Sequence, residues 1–180
     1  TGLTGQAPAL LAEMQRLGIP LDLTHCSEAA FWGCLEHYDG RVLASHANSR
    51  TLVPHQRELD DRQLQAILDR DGVIGVTLGN WQLQYEWKCL ADNRHLRVTL
   101  DRAVDHIDYI CQLAGDHRHV AIGSDLDGGV GTDEFPHDLD TIADLQRFVE
   151  VLDRRGYSGE ATAAILHGNW LRFLREAWSE

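Results

Sequence analysis

The chain is 180 residues long and 43% hydrophobic, with 16 basic against 28 acidic side chains and a formal charge of −12. This is enough apolar material for one sizeable core, and with no Pro/Ser-rich linker or low-complexity tail, residues 1–180 read as a single globular unit. The acidic balance and the scattered basic residues exclude a phosphate-backbone partner such as DNA or RNA, and no apolar run approaches the roughly 18 to 20 residues that span a bilayer.

In chain order, helical periodicity runs through residues 9–17 and stops at Gly18, a residue suited to the position after a helix end. A buried strand follows at 19–23, within "IPLDLTHCS", and ends on His25; Ser27 is placed to cap a helix over 27–38, and Asp39-Gly40 turns the chain. A second short strand, 42–45, ends on His46. An irregular loop over 47–59 leads to a helix at 60–70 with Asp60 or Asp61 at its cap. The third strand, 73–78, opens after Asp71-Gly72 and leads into an aromatic loop with Trp81, Tyr85 and Trp87, which either walls a pocket or simply packs. Thr99 opens an amphipathic helix at 100–114, and the fourth strand, 119–124, stops on Asp125 in "GSDLDGG". Helices at 139–154 and 158–178, the second broken near Gly168-Asn169, complete the chain.

Short, continuously apolar strands separated by helices are the pattern of a parallel α/β sheet, either open and doubly wound or part of a (β/α)8 barrel. In both architectures the carboxyl ends of the strands form the ligand face. Three of the four strands end there in His25, His46 or Asp125. Regular period-2 alternation puts Leu21, Leu23 and His25 on one face, and likewise Val42, Ala44 and His46, and Ala121, Gly123 and Asp125, so that the three functional groups cap an apolar interior. Asp22 falls on the opposite face and requires a buried partner that the sequence does not identify.

Two imidazoles and a carboxylate on neighbouring strand ends suit a borderline metal such as zinc, which takes nitrogen and oxygen ligands and keeps a position open in catalytic sites. Such a metal lowers the pKa of its water from about 15.7 to around 7, and a nearby carboxylate can accept and pass on the proton, which is hydrolase chemistry. Arg57, in "PHQRELDD", is placed to hold a substrate carboxylate bidentately, with Arg50 and His55 of the same loop as alternatives. Asp127 reads as a turn former, His117 and His119 as structural, and His37, His95, His106, His137 and His167 as solvated or capping residues. Cys26, Cys34, Cys89 and Cys111 show neither a C-x-x-C pair nor zinc-ribbon spacing and read as free thiols of a reducing, cytoplasmic compartment. Residues 1–6 lack a signal-peptide layout, and a start at Thr-Gly-Leu-Thr without Met sets the expectation of a longer parent chain.

Together, "IPLDLTHCS", "VLASHANSRTLVPHQRELDD", "DGVIGVTL" and "HVAIGSDLDGG" resemble the membrane dipeptidase (renal dipeptidase) family of zinc metallopeptidases, within the amidohydrolase-type barrel enzymes. The final "GNWLRFLREAW" is similar to that family's closing helix, so the resemblance covers essentially the whole chain. It implies a (β/α)8 barrel of which this chain supplies strands five to eight, and a two-zinc site in which His25 and His46 bind one of the ions. It also implies that Arg57 holds the terminal carboxylate of a dipeptide substrate and that Asp125 handles the proton of the attacking water. The family's His-x-Asp zinc pair and bridging carboxylate have no counterpart before His25, and Glu58 stands where the family commonly has Asn.

A half barrel has physical consequences. Its first and last strands would be open edges and its inner face would expose Leu, Val and Ile, so it would need the missing N-terminal half or a second chain, a homodimer included. With two ligands only, the 180 residues alone would bind zinc weakly and hydrolyse little. The alternatives are an amidohydrolase acting on N-acyl amino acids or lactones, and a barrel-derived binding protein without catalysis.

Overall fold

A computed structural model describes residues 1–89, 91–93, 95–129 and 131–179. The first apolar stripe winds into α1 (Ala7–Arg16), which ends through Leu17 onto Gly18 at φ +66°. β1 (Leu21–Asp22) pairs in parallel with β2 (Val42–Leu43), with Leu21 opposite Val42, and β3 (Ile74–Val76) pairs in parallel with β4 (Val120–Ile122), with Ile74 opposite Val120. A bridge between Ala44 and Ile74 joins the two ladders. The strands thus lie in sequential order without the reversal that marks the switch point of a doubly wound sheet, and among the described residues they do not close into a barrel.

Successive parallel crossovers of one hand place their helices on one face of such a sheet. Leu21, Leu23, Val42, Ala44, Ile74, Val76 and Val120 face that side. They share one core with Phe31 of α2 (Glu28–His37), Leu64 and Ile67 of α3 (Asp61–Leu68), and Val104 and Ile107 of α5 (Leu100–Ala114); the short α4 (Asn80–Leu83) lies between α3 and α5. Local chemistry sets the helix starts. Ser27 Oγ accepts the Ala30 N–H at 3.2 Å, and Asp60 forms a reciprocal capping box with Gln63; caps of this kind are worth about 1 kcal/mol each. Thr99 makes no such bond. The Leu100 N–H is capped from elsewhere in the chain, by Asp138 at 3.1 Å.

Residues 139–154 do not form one helix: a 3-10 segment, Ile142–Arg147, precedes α6 (Phe148–Arg154). The break expected near Gly168-Asn169 is a π turn, Ala164–Gly168, between α7 (Gly159–Ala163) and α8 (Asn169–Trp178). It delivers the next side chains to the outer edge of β4. Asn169 Nδ2 donates to the carbonyls of His117 (2.6 Å) and Val120 (2.7 Å), Trp170 Nε1 to Ile122 (2.9 Å), and Arg172 to Arg118 (3.1 Å). Side-chain donors thus occupy outward carbonyls of the last strand, the acceptors a further strand would use.

The inner face also departs from expectation. It carries Asp22, Leu43, Ser45, Val73, Gly75, Ala121 and Gly123. Val73 and Ala121 are fully buried beneath Phe173 of α8, with Leu43, Trp170 and Leu174 packed around them, so the apolar part is covered rather than exposed. Toward the carboxyl ends the face is small and polar. No helix among the described residues is long and apolar enough to cross a membrane.

Candidate metal centre

The three strand-end groups leave the strands rather than following their alternation. The last ladder bond of β1 is Leu23 N–H to Leu43 O at 2.8 Å, after which His25 turns into the left-handed region at φ +65°. Asp125 does the same after β4, at φ +53°. Along β2, Gly75 N–H donates to Ala44 O at 2.8 Å, and regular pairing would next join the His46 N–H to Gly75 O. Ala47 makes that bond instead, at 2.8 Å, while the His46 N–H donates to Thr24 Oγ1 at 3.3 Å. Ser45-His46 thus holds one residue more than the ladder needs, a bulge of the kind that re-aims a side chain. The expected sharing of a face with Leu21, Leu23, Val42 and Ala44 fails for this reason, and those four residues lie under the helices. The bulge folds the Ser45 carbonyl across the sheet, where a Cβ would come within 2.1 Å of it from position 75 and 1.9 Å from position 123. Only glycine fits at either place.

The outcome is a histidine pair. His25 Nε2 and His46 Nε2 lie 3.0 Å apart with the rings at 67°. His46 Nδ1 stands 2.8 Å from Ser45 Oγ, whose own hydroxyl donates to Thr24 Oγ1 at 3.4 Å. With the Ser45 hydroxyl as acceptor, this chain places the His46 proton on Nδ1 and turns the Nε2 lone pair toward His25, the tautomer that a metal ligand adopts when its other nitrogen is hydrogen-bonded. Zinc–nitrogen bonds are about 2.0–2.1 Å, so both Nε2 atoms are within reach of one ion, and the pair fits a divalent metal. Burial holds the His46 pKa below its ordinary value, against the attraction of Asp125. Among the described residues, no third His, Cys, Asp or Glu joins the pair in a group able to hold a metal.

Asp22 finds the partners that the sequence did not identify, and they are backbone amides. Its Oδ1 accepts the Thr24 N–H and the Ser45 N–H, both at 3.0 Å. Partial burial pushes its pKa up, but the bonds from Ser45 and Thr24 outweigh this and hold it below the usual carboxylate value. The residue is exposed on the inner face rather than buried.

Arg57 joins the site through its Nη2, which donates to the His46 carbonyl at 2.9 Å. Burial lowers its pKa, countered by the charges of Glu58, Asp125 and Asp22, which places all three carboxyl groups within its field. His25, Arg57 and Glu58 line a cleft of about 410 Å³ together with Arg50 and His55. The last two serve the loop: Arg50 Nε donates to Glu58 O at 2.9 Å, and His55 stacks edge-on against Trp81 at 5.1 Å. Glu58 is fully buried. Its Oε2 accepts the Asn48 N–H at 2.7 Å, but Oε1 has no hydrogen-bond partner. Burial pushes its pKa up to about 7, against the Asn48 N–H and the charges of Arg57 and Arg50.

A larger hollow of about 720 Å³ lies elsewhere, walled by Trp87, Leu96, Val98 and Phe135, and holds neither histidine. Trp87 is fixed there by Glu134 at 2.6 Å, so part of the aromatic loop does wall a pocket, while Tyr85 is exposed. His106 is not solvated: it is buried, its Nδ1 accepts the Ser49 N–H at 3.2 Å, and burial lowers its pKa to about 4. Cys26, Cys34, Cys89 and Cys111 are free thiols. Sequence reasoning missed Thr24 and Ser45, for which a polar pair directly preceding the two histidines was the available signal.

Comparison with known proteins gives a consistent picture. The membrane dipeptidase family, peptidase family M19, matches residues 1–179. An uncharacterized protein in the pqqA 5′ region of Klebsiella pneumoniae is 37% identical over 180 residues, covering 99% of this chain and 62% of that protein. Dipeptidase aclJ of Aspergillus oryzae is 32% identical over 173 residues, 96% of this chain and 38% of the relative. Among solved structures, dipeptidase AC, a metallopeptidase of family M19, superposes with a TM-score of 0.88 at 28% identity, over 99% of this chain and 50% of that one. A metallopeptidase from Rhodobacter sphaeroides, liganded with a phosphinate mimic of the dipeptide L-Ala-D-Ala, superposes with a TM-score of 0.85 at 29% identity, over 98% and 48%. In every case the chain spans less than two thirds of the relative's length. These neighbours are metallopeptidases with a TIM-barrel fold of the amidohydrolase type.

Proposed function

The chain belongs to the membrane dipeptidase family, peptidase family M19, and from that premise we propose that it forms strands five to eight of a zinc-dependent dipeptidase barrel. The observation that carries this reading is the pair of imidazole nitrogens facing each other at 3.0 Å, with Arg57 bonded to the peptide carbonyl of one of them. His25 and His46 would hold one of two zinc ions. When bound, the metal supplies Lewis acidity at the scissile carbonyl and an activated water at neutral pH.

The remaining work falls to this chain's own side chains. Arg57 has five N–H donors in a rigid fork, and its bond to His46 O anchors the guanidinium beside the histidine pair, so a carboxylate held by its other donors lies next to the reacting centre. Asp125 accepts the proton of the attacking water and delivers it to the leaving amine, a role that suits a carboxylate whose charge is felt at both His46 and Arg57. Dipeptides are the proposed substrates, supported by the dipeptide mimic bound to the Rhodobacter relative. With two ligands among the described residues, the 180 residues alone are expected to hold zinc weakly and to need an N-terminal half or a second chain for activity.

A second reading is hydrolysis of N-acyl amino acids or lactones; for lactones, which bring no carboxylate, it draws on Glu58, whose buried carboxyl beside Arg57 offsets part of the guanidinium charge that a terminal carboxylate would use. The deciding experiment combines elemental analysis and intact mass of natively purified protein with a substrate panel. About two zinc ions on a mass above that of 180 residues, with turnover only of substrates carrying both a free α-amino and a free carboxylate end, supports the dipeptidase. Turnover of lactones or N-acyl amino acids instead selects the second reading. No metal on a longer chain leaves the non-catalytic binding protein. In the dipeptidase case Arg57→Lys loses the fork and should raise KM roughly 10- to 100-fold with a smaller change in kcat.

A further inference from the structure

We propose that Asp22 is a positioning residue for the histidine pair: its carboxylate ties the turn that carries His25 to the bulge that carries His46, and so sets how the two imidazoles meet. The inference rests on the reading that these histidines bind metal.

The geometry leads to it directly. Neither histidine is held by the sheet. The ladder between β1 and β2 ends with the Leu23 N–H on Leu43 O, and beyond it His25 lies in a left-handed turn and His46 in a bulge. What links the two segments past that point is a set of three polar side chains. Asp22 Oδ1 accepts the amide of the residue before His25 and the amide of the residue before His46, each at 3.0 Å. Thr24 Oγ1 accepts the His46 N–H at 3.3 Å and the Ser45 hydroxyl at 3.4 Å, and Ser45 Oγ in turn meets His46 Nδ1 at 2.8 Å. A single carboxylate oxygen thus replaces the ladder bond that the turn and the bulge forgo. The two amides are donors that only a side-chain acceptor can serve at this point, and left unserved they would cost stability in a turn and a bulge that the sheet no longer holds. Outer partners of metal-ligating histidines typically govern affinity by about 10- to 100-fold.

The alternative roles for Asp22 are a direct metal ligand, a source of negative charge, or a residue needed only for folding. Two substitutions separate them. Asp22→Asn keeps a carbonyl acceptor for both amides and removes the charge; Asp22→Ala removes both. The natively purified protein and its variants are stripped with a chelator and titrated with Zn2+ against a chromophoric chelator. Co2+ substitution reports the ligand field at the pair by its visible absorption, and thermal unfolding of the metal-free forms reports the fold.

The expected result is a loss of about 10- to 100-fold in zinc affinity for Asp22→Ala. Its cobalt spectrum should be altered while the metal-free protein still unfolds cooperatively, and Asp22→Asn should restore most of the affinity. Thr24→Val, which removes the second link, should weaken binding in the same direction by a smaller factor, and it keeps the idea testable if Asp22→Ala does not fold. Wild-type affinity in Asp22→Ala overturns the proposal. So does an Asp22→Asn variant as weak as Asp22→Ala, which would make the charge or direct ligation the operative property. A wild-type protein that is longer than these 180 residues and takes up no zinc overturns the metal reading of the histidines themselves, and this one with it.

Discussion

Glu58 shows how one residue changes the character of a site. Its carboxyl is fully buried with one oxygen unpartnered, and burial lifts its pKa from the ordinary 4.5 to about 7. A carboxyl that holds its proton more tightly when folded makes the folded state less favourable as pH rises from about 4.5 through 7. Glu58→Gln should therefore flatten that part of the stability profile, leaving the variant more stable than wild type at pH 8 by about 1–3 kcal/mol and little changed at pH 5. Urea unfolding of both proteins at the two pH values measures the difference, and equal stability at pH 8 would contradict it. The meeting of the two histidines and of Arg57 was legible from the sequence because each histidine follows an apolar run and Arg57 stands in the loop after His46, while Asp125 is a candidate on the same pattern. Their route into the site was not legible. Period-2 alternation describes a strand only while it lasts, and here the left-handed His25, the bulge at Ser45-His46 and the left-handed Asp125 end it at each group itself. Asp22 was marked by its cost, since a carboxylate inside an apolar strand demands donors, but amides of two distant turns have no sequence signature.

At the scale of elements, the sequence located strands and helices well and their ends less so. The fifteen-residue run of α5 matches the apolar periodicity from Leu100 to Ala114, yet its cap comes from Asp138, a contact that local pattern does not encode. The closing helices show the same division. Gly168-Asn169 marked a break, but only the fold reveals its use, which is to bring Asn169 and Trp170 onto the edge carbonyls of β4. Asn169→Ala should leave the carbonyls of His117 and Val120 without these donors and lower stability by about 1–3 kcal/mol. It should also promote self-association through the bared edge, which denaturant unfolding and sedimentation velocity will register. The inner face sets a second constraint. Gly123→Ala drives a methyl into the Ser45 carbonyl, and overpacking of this kind costs about 1–3 kcal/mol. Reduced zinc uptake should accompany the stability loss, because the segment that must shift carries His46; unchanged uptake would separate the glycine from the site.

At the scale of the whole molecule, the two ends of the sheet do different work. At the amino ends, Arg41, Arg118 and Arg172 converge on Asp71 and Glu176, with contacts of 3.0 to 3.5 Å that fasten α8 to the start of the strands. Partly exposed ion pairs contribute little singly, and these two carboxylates tie down the helix that lays Phe173 over Val73 and Ala121. At the carboxyl ends, rigidity comes instead from glycine contacts and from amides gathered on one carboxylate. The extra residue at Ser45-His46 gives that end an unusual vulnerability. The aim of the imidazole depends on a count of residues as well as on their chemistry. Loss of one codon there would let the ladder close and draw the ring back along the strand by roughly 3.3 Å, more than the length of a metal–nitrogen bond. A lineage that lost it would keep its sheet, its helices and both histidines, and no longer have the pair.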